Sequence, residues 1–304
     1  MNLIKPKKLK KSDTIGLLSV SGEIREPQRI EKAKEYFEKL GYNVVISPTT
    51  HEKNRYMAGS DEARLNALHS FFEDDSIDAI VCTRGGYGAI RLINDIDYDL
   101  VRRHPKIFAG YSDISALLAM FYKRTGLVTF HSPMANGDFG ADEVDNFTEK
   151  SFFDFMITDV PFYKAQDGFK IYYEGIGEGV LWGGNLATIN SLAGIDFVPD
   201  EKFILFIEDL NEPVYKIDKM LTQLWNIEKF RDNINGVVLG KFTDVDNKEF
   251  LDEFFVEFSQ KLKKPMLDGF LISHETRKIT LPVGIRVQLD SGCGVLKFLE
   301  NSFV

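Results

Sequence analysis

What most constrains this chain is a rhythm repeated through its first 135 residues: a short apolar run, a small-residue turn, then a stretch with helical spacing. Residues 15–20 form the first run and stop at Ser21-Gly22. Pro27 then opens a stretch whose Ile30, Ala33, Phe37 and Leu40 fall on one helical face, and Gly41 ends it. Further runs at 43–47, 78–83, 107–110 and 127–130 alternate with helical stretches. Ser60 caps one of these, with Asp61 and Glu62 in its first turn and Leu65, Leu68 and Phe72 on its apolar face; others span about 89–93 and 114–122. Apolar runs without internal alternation suit strands buried on both faces, and strand–helix alternation builds a parallel sheet from βαβ units. Ligands of such sheets bind at the carboxyl ends of the strands. Two glycine-bearing segments fall there: Arg84-Gly85-Gly86-Tyr87-Gly88 and Gly110-Tyr111-Ser112-Asp113.

A chain of 304 residues predicts two domains. Residues 1–135 are expected to form an N-terminal α/β domain with a parallel, flavodoxin-like sheet. The pattern breaks over 136–168, which reads as a connection with one short helix at 149–156. Residues 169–304 read as a smaller α+β domain. There, 179–185 precede a small helix and 203–207 form a buried strand ending at Glu208-Asp209. A long helix is expected over 214–230, with Ile217, Met220, Leu221, Leu224 and Ile227 on one face. A strand at 236–239, a helix at 250–262 and short strands within 279–289 and 295–299 complete it.

Charge excludes some partners. The net charge of -9 repels phosphates, so neither nucleic acid nor an anionic membrane is an expected partner. No run of 18 apolar residues marks a membrane span. The early lysines, Lys5 to Lys11, are followed by Ser12-Asp13 rather than a long apolar stretch, and read as a solvated edge with no export signal. Two cysteines give no disulfide framework, and Cys82 reads as a small buried hydrophobe. The five histidines show no H-E-x-x-H or other clustered spacing, so neither a metal nor a cofactor is expected.

Three features could carry chemistry. Ser112, between a strand end and a helix start, would expose its hydroxyl at the sheet edge. The amide after it would point where a helix N-terminus stabilises an oxyanion. It resembles a nucleophile elbow without the G-x-S-x-G spacing; alternatively, Ser112 only caps the following helix. The 84–88 loop allows close backbone approach to a ligand, as an oxyanion-hole contributor or a phosphate cradle, although neither nucleotide-binding glycine spacing is present. Glu208 could orient a histidine, or be a surface acid at a strand end. His51, His69, His104, His131 and His274 each also admit a structural role.

Taken in order, Asp13-Thr14-Ile15-Gly16, the 84–88 and 110–113 segments, Gly183-Gly184-Asn185-Leu186, Leu205-Phe206-Ile207-Glu208-Asp209 and Thr280-Leu281-Pro282-Val283-Gly284 resemble the LD-carboxypeptidases. These are serine peptidases of the murein tetrapeptide carboxypeptidase type, which include the microcin immunity peptidases. The resemblance covers nearly the whole chain. It implies a metal-independent Ser–Glu–His triad on Ser112, Glu208 and His274, with the serine on the first domain, its partners on the second and the active site between them. It implies an oxyanion hole from the backbone amides of Gly86 and Asp113. It further implies a cytoplasmic homodimer acting on a small peptide, a murein tetrapeptide cleaved before its terminal D-alanine. Two alternatives stay open: a peptidase cleaving an aminoacyl-nucleotide amide, for which Trp182 and Trp225 are stacking candidates by type, and a non-catalytic peptide-binding relative. The segment 213–218 is nearer the murein branch. The sequence departs from the family at Ser273, where glycine usually precedes the histidine.

Overall fold

A computed structural model describes residues 2–158 and 160–304; Met1 and Asp159, the latter within the expected connection, lie outside the described residues. The chain divides into two compact units. One holds Met1–Asp159, Thr280–Gly284 and Ser302–Val304; the other holds Val160–Ile279 and Ile285–Asn301.

The first unit runs β1 (Thr14–Leu18), α1 (Pro27–Lys39), β2 (Asn43–Ile46), α2 (Asp61–Glu73), β3 (Ala79–Cys82), α3 (Tyr98–Arg103), β4 (Ile107–Gly110), α4 (Ser115–Thr125), β5 (Thr129–His131) and α5 (Asn146–Ile157). Its strands lie in the order 2-1-3-4-5, all parallel, and Leu281–Val283 adds an antiparallel edge strand against β5. This is the flavodoxin-like arrangement, whose order reverses between β1 and β3. Ile80, Val81, Cys82, Phe108 and Ala109 are fully buried, as a sheet covered on both faces requires. Ser60 caps α2 by accepting from the Ala63 amide. The expected helix at 89–93 is a single 3-10 turn, Ala89–Leu92. The short α3 was not anticipated, and β5 begins two residues later than expected.

Residues 135–157 do not behave as a connection. Phe139 packs on Phe37 of α1 with ring centroids 4.7 Å apart, and Phe152 of α5 lies 5.0 Å from Phe139. Burying such rings is worth roughly 1.5–3 kcal/mol each, which fastens this segment to the first unit. The run Leu281–Val283 also belongs there, by its ladder to β5. The first unit is therefore discontinuous in sequence.

The second unit comprises β6 (Phe162–Lys164), β7 (Ile171–Tyr173), β8 (Ile176–Asn185), α6 (Leu186–Ser191), β9 (Phe203–Leu210), α7 (Val214–Trp225), α8 (Glu228–Asn233), β10 (Ile234–Thr243), α9 (Lys248–Leu262) and β11 (Met266–Leu267). After β12, the Leu281–Val283 strand, come β13 (Arg286–Asp290) and β14 (Val295–Phe298). The eight-stranded mixed sheet has the order 6-14-13-8-9-10-11-7, with β8 to β11 parallel and antiparallel pairs at both edges. The single helix expected over 214–230 is two: Ile227 turns to extended geometry (φ -77°, ψ 113°) and α8 restarts at Glu228. Among the described residues no helix is long and apolar enough to cross a membrane.

Candidate active site

Ser112 is separated from Gly110, the end of β4, by Tyr111 alone and has φ +63°, in the left-handed region. A serine held there stores about 1–3 kcal/mol of strain and persists only where its surroundings impose it. Those surroundings are rigid. Behind it, α4 is buried on every side from Ser115 to Tyr122 and closes on Gly126, whose amide donates to the Tyr122 carbonyl. In front lies the 84–88 loop. A Cβ added to Gly85 would stand 2.6 Å from Ser112 Cβ and 2.7 Å from its Oγ, so this close approach requires glycine. Neither the turn at Ser112–Ile114 nor α4 has a side-chain cap hydrogen bond, so Ser112 is not held there as a helix cap.

Asp113 ties three strand-end loops together. Its Oδ2 accepts from Ser21 Oγ, after β1, and from the Ala89 amide, after β3, at 2.9 Å. Burial raises its pKa above the usual carboxylate range, and the Ser21 and Ala89 bonds pull against that rise. The loop following β1 is pinned again by the Gly22 amide donating to Gly85 O at 3.1 Å. Gly86 adopts φ +115°. The amides of Gly86 and Asp113 have no hydrogen-bond acceptor among the described residues. Two unspent donors thus flank the serine, as oxyanion stabilisation needs.

Within the second unit, Glu208 ends the fully buried part of β9 and is itself completely buried. Its Oε2 lies 2.7 Å from His274 Nδ1. A buried carboxylate at that nitrogen fixes the ring's orientation. Gly240 on β10 makes the pairing possible. A Cβ there would meet Ile272 O at 2.3 Å and Glu208 Cβ at 3.0 Å, while the Lys241 amide donates to Ile272 O at 2.8 Å. Ser273 is buried without positive φ, and its Oγ accepts from the Glu275 amide at 3.1 Å, closing a turn across His274. The side chain in place of the usual glycine thus joins the histidine loop as a hydrogen-bond acceptor.

Asp209, the neighbour of Glu208, has a separate task. It accepts from Asn185 Nδ2 and the Ala187 amide, both at 2.9 Å, and from its neighbour Leu210 at 2.8 Å, fixing the Gly184-Asn185 turn that starts α6. Burial lifts its pKa to about 6, against the pull of these bonds. Sequence reasoning missed Gly240 and the roles of the Asp113 and Asp209 carboxylates. Only the Glu208-Asp209 doublet hinted at the last.

The other histidines are differently employed. His69 Nε2 accepts from the Asp97 amide at 2.9 Å, His104 pairs with exposed Asp75 at 3.2 Å, His51 ends a 3-10 turn, and buried His131 stands 6.0 Å from the Tyr111 ring. Trp182 is fully buried among Phe197, Phe203 and Phe230, and Trp225 sits between Phe258 and Lys261. Trp182 offers no open face for a base, whereas Trp225 is partly exposed. Among the described residues no group of three or more His, Cys, Asp or Glu side chains is placed to hold a metal ion. Cys82 is buried and Cys293 exposed, both as free thiols.

Residues 15–132 match the LD-carboxypeptidase N-terminal domain and residues 178–289 the LD-carboxypeptidase C-terminal domain. The chain is 35% identical to the probable murein peptide carboxypeptidase of Bacillus subtilis, over 94% of this chain and 92% of that one. It is 30% identical to the murein tetrapeptide carboxypeptidase of Pseudomonas aeruginosa, over 86% and 88%. Among solved structures, the microcin C7 self-immunity protein MccF in complex with aspartyl sulfamoyl adenosine superposes with a TM-score of 0.91. That match has 26% identity and covers 99% of this chain and 100% of the other.

Proposed function

The chain belongs to the LD-carboxypeptidase family, and from that premise we propose that it is a serine carboxypeptidase hydrolysing the L,D-peptide bond to the terminal D-alanine of murein tetrapeptides. The observation that carries this reading is the fully buried Glu208 carboxylate set 2.7 Å from His274 Nδ1. A protein that merely bound peptides would have no use for a carboxylate sunk there to orient an imidazole.

In this reading Ser112 is the nucleophile, His274 its base and Glu208 the carboxylate that orients the base. His274 Nε2 takes the Ser112 proton as Oγ attacks the scissile carbonyl. The Gly86 and Asp113 amides receive the oxyanion. The protonated imidazole, steadied by Glu208, returns its proton to the departing D-alanine amine, leaving an acyl-enzyme. Water, activated by the same imidazole, releases the shortened peptide. A homodimer working in the cytoplasm on peptides from wall recycling belongs to the same reading and rests on the family resemblance alone. Cleavage of an aminoacyl-nucleotide amide is the second reading. The likeness to MccF supports it, and the enclosure of Trp182 weighs against it.

The test is mass spectrometry of a purified murein tetrapeptide after incubation with the protein, with Ser112→Ala as control. Loss of one D-alanine, absent in the control, is the expected result. An intact tetrapeptide with the unaltered protein overturns the murein reading and directs the assay to aminoacyl-nucleotide amides.

A further inference from the structure

A carboxypeptidase has to recognise the free carboxylate at the end of its substrate, and the triad and oxyanion hole contain nothing that does so. The carboxylate carbon lies only roughly 3–4 Å from the scissile carbonyl carbon, the span of one N–Cα–C unit. Its anchor must therefore stand beside the oxyanion donors.

One cation stands there. Arg84 opens the glycine loop and folds its guanidinium over the pair Gly22 and Gly86. A Cβ on Gly22 would lie 3.4 Å from Arg84 Nε, and one on Gly86 would lie 3.6 Å from Nη2. Nη1 donates to Glu23 O at 2.8 Å. The remaining donors of the fork have no hydrogen-bond partner among the described residues, and the side chain is only half-buried. The nearby carboxylate of Glu23 is engaged elsewhere, with Lys53 at 2.5 Å and Arg25 at 3.4 Å. Burial and the Arg25 charge lower the pKa of Arg84, and Glu23 offsets this only in part, as for a cation short of counter-charge. A planar guanidinium with unspent donors matches a carboxylate in two-pronged fashion.

We propose that Arg84 binds the terminal carboxylate of the substrate and so makes the enzyme a carboxypeptidase rather than an endopeptidase. The proposal rests on the peptidase reading above, with Gly86 as an oxyanion donor. In this arrangement the loop supplies two functions from adjacent positions: its arginine fixes the end of the chain, and its glycine amide holds the carbonyl one residue earlier. A peptide with no free carboxylate leaves Arg84 uncompensated and binds poorly.

The test compares the D-alanine-terminated tetrapeptide with its C-terminal amide. Binding is measured by calorimetry on the full-length Ser112→Ala protein, with and without Arg84→Gln. The Ser112→Ala protein is expected to bind the free acid roughly 10–100-fold more tightly than the amide, the range for a charge-assisted pair. With Arg84→Gln added, the two peptides should bind equally. Arg84→Lys, which keeps the charge without the fork, should give an intermediate ratio and guards against a folding defect. A free-acid preference that survives Arg84→Gln overturns the proposal. D-Alanine release by the unaltered protein is followed in parallel. If it occurs while the preference survives, this inference alone falls; if neither release nor binding occurs, the peptidase reading falls and this inference with it.

Discussion

Replacing Gly85 by alanine tests how tightly the nucleophile is held. Gly85 lies outside the left-handed region, so its backbone accepts alanine without strain. Were the site open, the substitution would stabilise the protein by about 0.4–1 kcal/mol through the unfolded chain. The site is not open: the new methyl would stand 2.6 Å from Ser112 Cβ, 2.7 Å from its Oγ and 3.2 Å from the Asp113 amide nitrogen. Carbon atoms rest at about 3.5–4.0 Å, so the loop or the serine has to retreat by about 1 Å. A misplacement of that size at a reacting group lowers the rate about 10²-fold. The assay is kcat/KM for D-alanine release, with thermal unfolding alongside. We expect Gly85→Ala to lose about two orders of magnitude in kcat/KM and to unfold at a lower temperature. Adding Ser112→Gly, which removes the atoms struck, should restore the melting temperature, a coupling that needs no activity to be read. Gly85→Ala with unchanged activity and raised stability would refute the argument that loop and serine are in contact.

Two further perturbations address the second unit. Glu208→Gln keeps the shape of the buried side chain but turns an amide toward His274 Nδ1; activity should fall by about 10³–10⁴-fold with the fold intact by circular dichroism, and a loss below tenfold would contradict the orienting role. Asp209 gives a pH signature. The unfolded chain releases this proton near 3.8 and the folded chain near 6. Between those values the folded state holds the extra proton, so the stability this group contributes falls as pH rises. A shift of roughly two pH units corresponds to about 3 kcal/mol. Urea unfolding should therefore show Asp209→Asn gaining on the unaltered protein by about that amount between pH 4 and pH 7, and a pH-independent difference would refute the assignment.

Much of the first sheet was legible because its strands are buried on both faces. Continuous apolar runs such as Ile80-Val81-Cys82, each punctuated by glycine or serine, have few alternative readings. The short strands β6, β7 and β11 left no such mark; their two or three residues carry too little pattern to separate from loop. The break after Trp225 was invisible for another reason: Ile227 keeps the apolar spacing of α7 while its backbone has already left the helix. Residues 136–157 looked like a connection because their glycines and acids hide three core rings, Phe139, Phe152 and Phe155. At the candidate site, Ser112 was legible from its place between strand and helix. The left-handed turn, the pressure of Gly85 and the three-loop clasp of Asp113 were not, since each depends on which loops meet in space. Arg84 shows the same limit: its position before the glycines was plain, but its unspent fork was not.

The antiparallel ladder between β12 and β5 joins residues 150 positions apart, Leu281 to His131. A ribosome delivers β1 to β5 early, but the strand that covers their open border emerges only after nearly all of the second unit. Until then β5 presents unpaired backbone groups, the kind of border that recruits strands from other chains. Cutting the gene after residue 158 would therefore yield a fragment prone to clumping rather than an independent half. Dissection of this protein would require carrying residues 280–284 along, for example by circular permutation.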